Sequence, residues 1–319
     1  MSRFSFSLRD AASPSVAVEI AGHRVSAVSL DSRGGIVSHA VEPLGEGALV
    51  PSLTAANVRE RASVLTALTS VLDRVGRPRR VGLVVPDPVA KVSLVRFQQV
   101  PARSQELDQL IRWQVRKAAP FPIEEAEVSY VPGAHLADGQ EFIVSMARRD
   151  VIAEYESLCT AAGAHAGLVD ISTFNVVNAV LAGSGAPAGD WLLVNVAPDW
   201  ASMGILRGVD LMFFRSRGAD GEGTLADLVH QTAMYYEDRL NGKGFGRVML
   251  CGAASIDQRQ AAADVEMLGR SLEQRLGSKV DAVDPRKAAA LTDRIDASPA
   301  LLDTLSPLVG LLLRDRHVA

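Results

Sequence analysis

The sequence predicts a mixed α/β fold made of two halves with the same order of elements, the first interrupted by an α+β insert. Three observations carry this. Three short strand patterns, a long helix and a buried strand open the chain and recur after residue 190. Between the two occurrences lies Gly183-Ser184-Gly185-Ala186-Pro187, a stretch with the composition of a linker. After the first buried strand, Pro86-Asp87-Pro88 breaks the pattern, and further strands and helices follow before the first half resumes.

Val16–Glu19, Val25–Leu30 and Ile36–Val41 alternate or run apolar over strand lengths and are joined by short turns, which predicts an antiparallel meander. A helix is expected over about Ala55 to Val75, because Leu65, Leu68, Leu72 and Val75 keep helical spacing, with Gly76 and Pro78 stopping it. Val81–Val85 is a solid apolar run, as a parallel strand buried on both faces requires. In the insert, a strand at Val92–Phe97 precedes a helix from Ser104, a candidate N-cap, to about Ala119, which Pro120-Phe121-Pro122 ends. Strands at Glu127–Val131 and Phe142–Ala147, a helix at Asp150–Ala162, a strand at Val169–Ile171 and a helix at Thr173–Leu181 complete the first half. The second half repeats the meander at Trp191–Val196, Ala201–Leu206 and Val209–Arg215. A helix at Thr224–Leu240 and a strand at Arg247–Cys251 follow, then a helix at Arg259–Leu276, a strand at Lys279–Val283 and a helix at Pro299–Arg314. The expected divisions are a flexible N-terminus at 1–15, a first half at 16–184 with an insert at about 88–166, and a second half at 185–319. Duplicated meander-plus-helix halves around a cleft are the plan of the actin-like, duplicated ribonuclease-H-type fold.

Composition narrows the function classes. Of 319 residues, 48% are apolar and 22% charged, an ordinary globular balance, and the net charge of −4 contains no dense Lys/Arg block to attract nucleic acid. Cys159 and Cys251 lack metal-ligand spacing and read as small buried apolar residues of a reducing compartment. The six histidines form no paired motif, so no metal site is expected. Met1–Ser15 lacks the apolar core of a signal peptide, and Leu308–Leu313 is too short to cross a bilayer. The chain is therefore expected to be cytoplasmic and not itself inserted in a membrane.

In such a fold a nucleotide lies between the halves, and the first turn of each meander serves as a phosphate loop. That loop wants a carboxylate for the shell of a magnesium ion, small residues that let backbone N–H groups reach phosphate, and a cation.

The segment Ala119-Pro120-Phe121-Pro122-Ile123-Glu124-Glu125 resembles a hallmark of the type IV pilus assembly protein PilM family, a helix running into this motif. Val85-Pro86-Asp87, Ser145–Val151, Val169-Asp170-Ile171 and Val283-Asp284-Pro285 are also similar to that family, so the resemblance spans about Ser15 to Leu313. It implies an actin-like fold, ATP with Mg²⁺ as the family's ligand, and a place in the cytoplasmic part of the pilus machine. There the protein docks the short cytoplasmic tail of the inner-membrane protein PilN and contacts the assembly motors.

This sequence departs from the resemblance where nucleotide binds. The first loop is Glu19-Ile20-Ala21-Gly22-His23-Arg24-Val25-Ser26, where the family carries Asp, Gly and Lys in place of Glu19, Ala21 and Ser26. Glu19 sets its carboxylate one methylene further out, Ala21 adds a Cβ where phosphate approaches, and Ser26 replaces a charged contact with a neutral one. The second loop is Asn195-Val196-Ala197 in place of Asp-Ile-Gly, and the adenosine turn is Gly252-Ala253-Ala254 in place of three glycines. Concurrent changes in all three loops around one ligand argue against catalysis and leave at most weak nucleotide binding. His23 reads as a solvated turn residue, the basic run Arg74, Arg77, Arg79 and Arg80 as a solvated helix end, and Gly242–Gly246 as a loop. Trp113 and Phe121 are the candidate partner contacts.

The leading expectation is a non-catalytic scaffold that binds an extended peptide of a PilN-like protein at a sheet edge or groove of the first half, and so reaches the inner membrane. The alternative is an ATPase whose nucleotide state controls docking, with Glu19 ordering the metal's waters. A sugar-kinase relative lacks an acceptor-activating carboxylate that can be placed here. GspL-like secretion proteins continue into a membrane helix where this chain ends; MshI-like pilus proteins remain an alternative.

Overall fold

Two five-stranded sheets of identical plan and one three-stranded sheet form the computed structural model, which describes residues 14–218, 225–255, 261–291 and 297–314. Most of the expected flexible N-terminus, residues 1–13, lies outside the described residues, as do the expected helix starts at Thr224 and Arg259.

The first half opens with β1 (Val16–Ile20), β2 (Arg24–Leu30) and β3 (Ile36–Pro43). After α1 (Arg61–Arg74), β4 (Arg80–Val85) returns to lie parallel to β1, pairing Val18 with Leu83. The insert contributes β5 (Ala90–Phe97), α2 (Ser104–Val115), β6 (Ala126–Leu136) and β7 (Gly139–Arg148). Then α3 (Arg149–Ala161), β8 (His165–Ile171) and α4 (Ser172–Ser184) resume the first half. The second half runs β9 (Asp190–Ala197), β10 (Trp200–Arg207), β11 (Asp210–Gly218), α5 (Leu225–Leu240), β12 (Arg247–Cys251), α6 (Ala261–Leu276), β13 (Val280–Ala282) and α7 (Pro299–Leu313).

The sheet orders are β3-β2-β1-β4-β8 and β11-β10-β9-β12-β13, so each half has an antiparallel meander extended by two parallel strands. The insert sheet is β5-β7-β6. Its core is its own, with Phe97, Ile111, Val128, Phe142 and Met146 packed together. The helix α3 belongs elsewhere. Its Val151, Tyr155, Leu158 and Cys159 lie in one core with Val18, Leu68, Leu83 and Ile171 of the first half.

Two helices join the halves. The N-terminal nine residues of α4, Ser172 to Val180, are all buried, and α4 touches β8, β9 and β10. From the second half, α7 crosses onto the first sheet, packing Leu305, Leu308, Val309 and Leu311 against Ala17, Val28, Val84 and Leu168. A fully buried Leu contributes roughly 1.5–3 kcal/mol. The approach is close: a Cβ on Gly82 of β4 would meet Leu311 at 2.6 Å, and one on Gly310 would meet the Asn175 carbonyl oxygen at 1.7 Å. Pro307 inside α7 cannot donate to the Asp303 carbonyl four residues earlier, and the Cys251 thiol lies 3.9 Å from that oxygen. Cys159 and Cys251 are both buried and free.

Several sequence expectations shift locally. The helix expected from Ala55 starts at Arg61, because Asn57 organises residues 51–60 as a folded loop. Its side chain accepts from Ser52 N at 2.9 Å and donates to the carbonyls of Ser52 and Ala55, while the Tyr155 hydroxyl donates to Asn57 Oδ1 at 3.0 Å. An Asn that can bond its neighbours' backbone competes with the helix. Ser104 is the first residue of α2 rather than its cap; Arg103 holds the cap position with no side-chain cap bond. The helix ends at Val115, followed by a 3₁₀ turn at Arg116–Ala118 before the prolines.

Candidate functional site

The carboxyl ends of β1, β4, β8 and β9 meet between the halves, and buried polar groups collect there. An open α/β sheet concentrates ligand chemistry at such strand ends. Glu19 on β1 is 3% exposed. Arg24 Nη2 donates to Glu19 Oε2 at 3.0 Å, the Ser26 hydroxyl contacts the same oxygen at 3.4 Å, and the Ser172 hydroxyl contacts Oε1 at 3.4 Å. The Arg24 side chain is itself 12% exposed. His23 lies against the Arg24 guanidinium, and burial followed by that charge lowers its pKa to about 3, so it stays neutral. It is not the solvated turn residue that its place in a loop suggests.

Behind β1 sits Asp87, fully buried after β4. Both its oxygens accept from Thr173 at the start of α4, from the backbone N at 2.9 Å and from the hydroxyl. Burial raises its pKa to about 6, against the hydrogen bonds that lower it and with a smaller push from Glu19. Asn195 on β9 donates from Nδ2 to Thr173 Oγ1 at 2.9 Å, so Thr173 links the two halves. Asp170 at the end of β8 accepts from Ile171 N at 2.8 Å, and burial raises it to about 7 although Arg314 pulls it down.

The structure thus brings together Glu19, Ser26 and Asn195 of the expected site. Ala21 is buried beside them in ordinary backbone; among the described residues the left-handed non-glycines are Arg77 and Asn241. Gly22 faces the second half, where Asp199 lies against it. Ala197 ends β9 and pairs with Trp200. Gly252 has φ +87°, and a Cβ there would meet the Val196 carbonyl at 1.8 Å, so glycine is required. Ala253 and Ala254 are buried, and Ala254 N donates to Asp303 of α7 at 2.8 Å. Among the described residues no group of three or more His, Cys, Asp or Glu side chains is placed to hold a metal ion. The spacing of the first loop did not point to Asp87, Asp170, Thr173 or Asp199. A signal for Asp87 and Asp170 was present in Val81–Val85 and Leu168–Val169, apolar strands that each run into an Asp.

The two candidate partner contacts lie apart from this centre, in the insert. Trp113 is 67% exposed on α2. Phe121 is half-buried and packs against the insert's core. The basic run is a paired helix end, with Arg74 donating to Glu42 at 2.9 Å and Arg77 to Asp73 at 2.7 Å.

A groove of about 430 Å³ runs between the first half and the insert. It is lined along β8 from His165 to Ile171, on the insert by Ser129 and Ala147, and on α3 by Ile152 and Ala153. Both β8 and β6 are terminal strands of their sheets. Among the described residues no helix is long and apolar enough to cross a membrane.

Comparison with solved structures shows likeness to the PilM–PilN type IV pilus biogenesis complex, with a TM-score of 0.76 at 17% identity over 94% of this chain and 96% of that one. A Bacteroides thetaiotaomicron protein with an actin-like ATPase fold and unknown function matches with a TM-score of 0.50 at 10% identity, over 93% and 94% of the two chains. The fold is therefore actin-like. A search of curated protein sequences gives no significant match. The model of the family described as type IV pilus assembly protein PilM matches residues 17–248, and the chain belongs to that family.

Proposed function

We propose that this protein is a non-catalytic scaffold of the type IV pilus inner-membrane assembly platform, which captures the cytoplasmic tail of a PilN-like membrane protein. The observation that carries this reading is the groove between β8 and β6. An unpaired strand edge offers a row of backbone donors and acceptors to an extended peptide, and the small side chains Ala147, Ala153 and Ala166 leave room for the peptide's own. The likeness to the solved PilM–PilN complex supports a partner of that kind. In this reading the chain divides into halves at 16–184 and 185–319, with the insert sheet β5-β7-β6 forming the far wall of the groove and α3 packed on the first half, and the partner holds the protein at the cytoplasmic face of the inner membrane.

The nucleotide site is degenerate in this account. The Glu19 carboxylate is held by Arg24 at 3.0 Å and contacted by the Ser26 and Ser172 hydroxyls at 3.4 Å, so a magnesium ion's waters would compete with groups of the chain itself. Asn195 is neutral and bonded to Thr173, and the Asp199 carboxylate at Gly22 repels a phosphate. The competing reading, an ATPase whose nucleotide state controls docking, draws on Asp87 and Asp170 as buried carboxylates at strand ends, but Asp87 is committed to Thr173 on both oxygens.

The test is fractionation of cells that carry or lack the gene for the bitopic partner. The protein is expected in the membrane fraction only when the partner is made. Equal recovery with membranes from both strains would overturn the tether.

A further inference from the structure

The groove along β8 has a candidate occupant within the chain itself. The described residues begin at Pro14, which lies on the first sheet beside the groove's own strand. A Cβ on Gly82 of β4 would stand 3.1 Å from Pro14 Cγ. Gly82 pairs with Leu168 of β8, and Leu168 lines the groove. Neighbouring strands are about 4.8 Å apart, so the chain enters the fold one strand away from the open edge of β8. Ser15 fixes that entry, because its carbonyl accepts from Leu30 N at 2.9 Å. An extended chain covers about 3.3 Å per residue, so the thirteen residues before Pro14 can span about 40 Å, many times the distance to that edge.

Their sequence suits an open strand edge. Phe4-Ser5-Phe6-Ser7-Leu8 alternates apolar and small polar residues without a break. A period of two puts Phe4, Phe6 and Leu8 on one face of an extended chain and the two serines on the other. The lining of the groove complements this. Ala147, Ala153 and Ala166 leave space for large side chains, and Glu127 and Glu156 supply negative charge for a run flanked by Arg3 and Arg9. Arg149 takes up Glu127 at 3.7 Å, whereas no ion pair among the described residues takes up Glu156.

We propose that residues 3–9 are an internal occupant of the groove, adding to the edge of β8 with Phe4, Phe6 and Leu8 turned into it, so that the partner's tail binds by displacing them. This rests on the reading of the groove as a site for an extended peptide. A segment tethered this closely acts at an effective concentration in roughly the millimolar range, so even weak pairing keeps the edge covered. An uncovered strand edge is a template for pairing with other chains, and the chain's own segment removes that hazard. The consequence is that the partner's affinity reflects the difference between two competing peptides.

The test uses the full chain and two readouts that need no partner. In the first, Phe4→Ser, Phe6→Ser and Leu8→Ser are combined, which removes the apolar face and keeps the length. Hydrogen exchange at the edge amides of His165–Ile171 is expected to rise about tenfold or more. Ser5→Ala with Ser7→Ala, on the opposite face, is expected to leave it as in the unaltered chain. In the second, Phe6→Cys is paired either with Ala153→Cys beside the groove or with Val37→Cys, which is 45% exposed on β3 at the far edge of the same sheet. Oxidation is expected to close a disulfide within the chain in the Ala153 pair and not in the Val37 pair. Exchange over β8 that the three serines leave unchanged, or equal disulfide yields in the two pairs, overturns the proposal. The synthetic tail of the PilN-like partner is expected to bind the triple-serine variant about tenfold more tightly than the unaltered chain, and equal binding to both overturns displacement. A tail that binds neither chain, with the exchange and disulfide results as expected, would sink the scaffold reading and leave the internal occupant standing.

Discussion

Asp170 shows how one buried carboxyl shapes the behaviour of the whole site. Burial raises its pKa from 3.8 to about 7, while Arg314 and the Ile171 N–H work in the opposite direction. The folded chain therefore holds a proton on Asp170 that the unfolded chain releases. The group's contribution to stability is greatest below about pH 4 and falls as pH rises towards 7. Asp170→Asn keeps an oxygen for the Ile171 N–H and removes the charge. It is expected to match the unaltered protein at pH 4 and to exceed it by roughly 1–3 kcal/mol at pH 8, measured by urea unfolding. Equal stability at both pH values would show that Arg314 already compensates the charge. At this scale the sequence was legible where chemistry depends on local spacing. Glu19, Ser26 and Asn195 flank the first turns of the two meanders, on β1, β2 and β9, and Glu19 contacts Ser26 directly. Asp87 and Thr173 were not legible as a pair, because they are 86 positions apart and meet only once β4 and α4 are packed.

Among the elements, α4 and α7 depend most on a single position. Gly310 of α7 rides against the Asn175 carbonyl of α4, and any side chain there must push the helices apart. Gly310→Leu is expected to destabilise by at least about 2 kcal/mol, with the loss seen as a lower denaturant midpoint. A midpoint unchanged from the parent would mean that α7 does not pack as described. Helical spacing was sufficient to place α7 and its boundaries within a residue. It failed for α1, where the apolar period starts before the helix does; Asn57 diverts the backbone through bonds to Ser52 and Ala55 that no periodicity records. Strand lengths were underestimated in the insert for a related reason. The hairpin of β6 and β7 continues to Leu136 and Gly139, through polar residues whose pairing is set by the partner strand and not by their own character.

The whole molecule is a duplication in which each half has the same strand order, and the repeat was legible because each half begins with three short strands, a helix and a buried strand. What the sequence could not show is that the insert, with its own core, leaves the edge of β8 unpaired and facing β6. That groove, together with a central cleft where Arg24 engages Glu19 and Thr173 engages Asp87, makes partner capture without nucleotide the central claim. Ala153, exposed on α3 beside the groove, allows the groove to be blocked without disturbing a core. The most direct measurement is calorimetric titration of the purified protein with the synthetic cytoplasmic tail of the PilN-like partner, with and without MgATP. The account predicts binding of the same affinity in both conditions and its loss in Ala153→Trp; binding that requires MgATP, or binding that Ala153→Trp leaves unchanged, would contradict it.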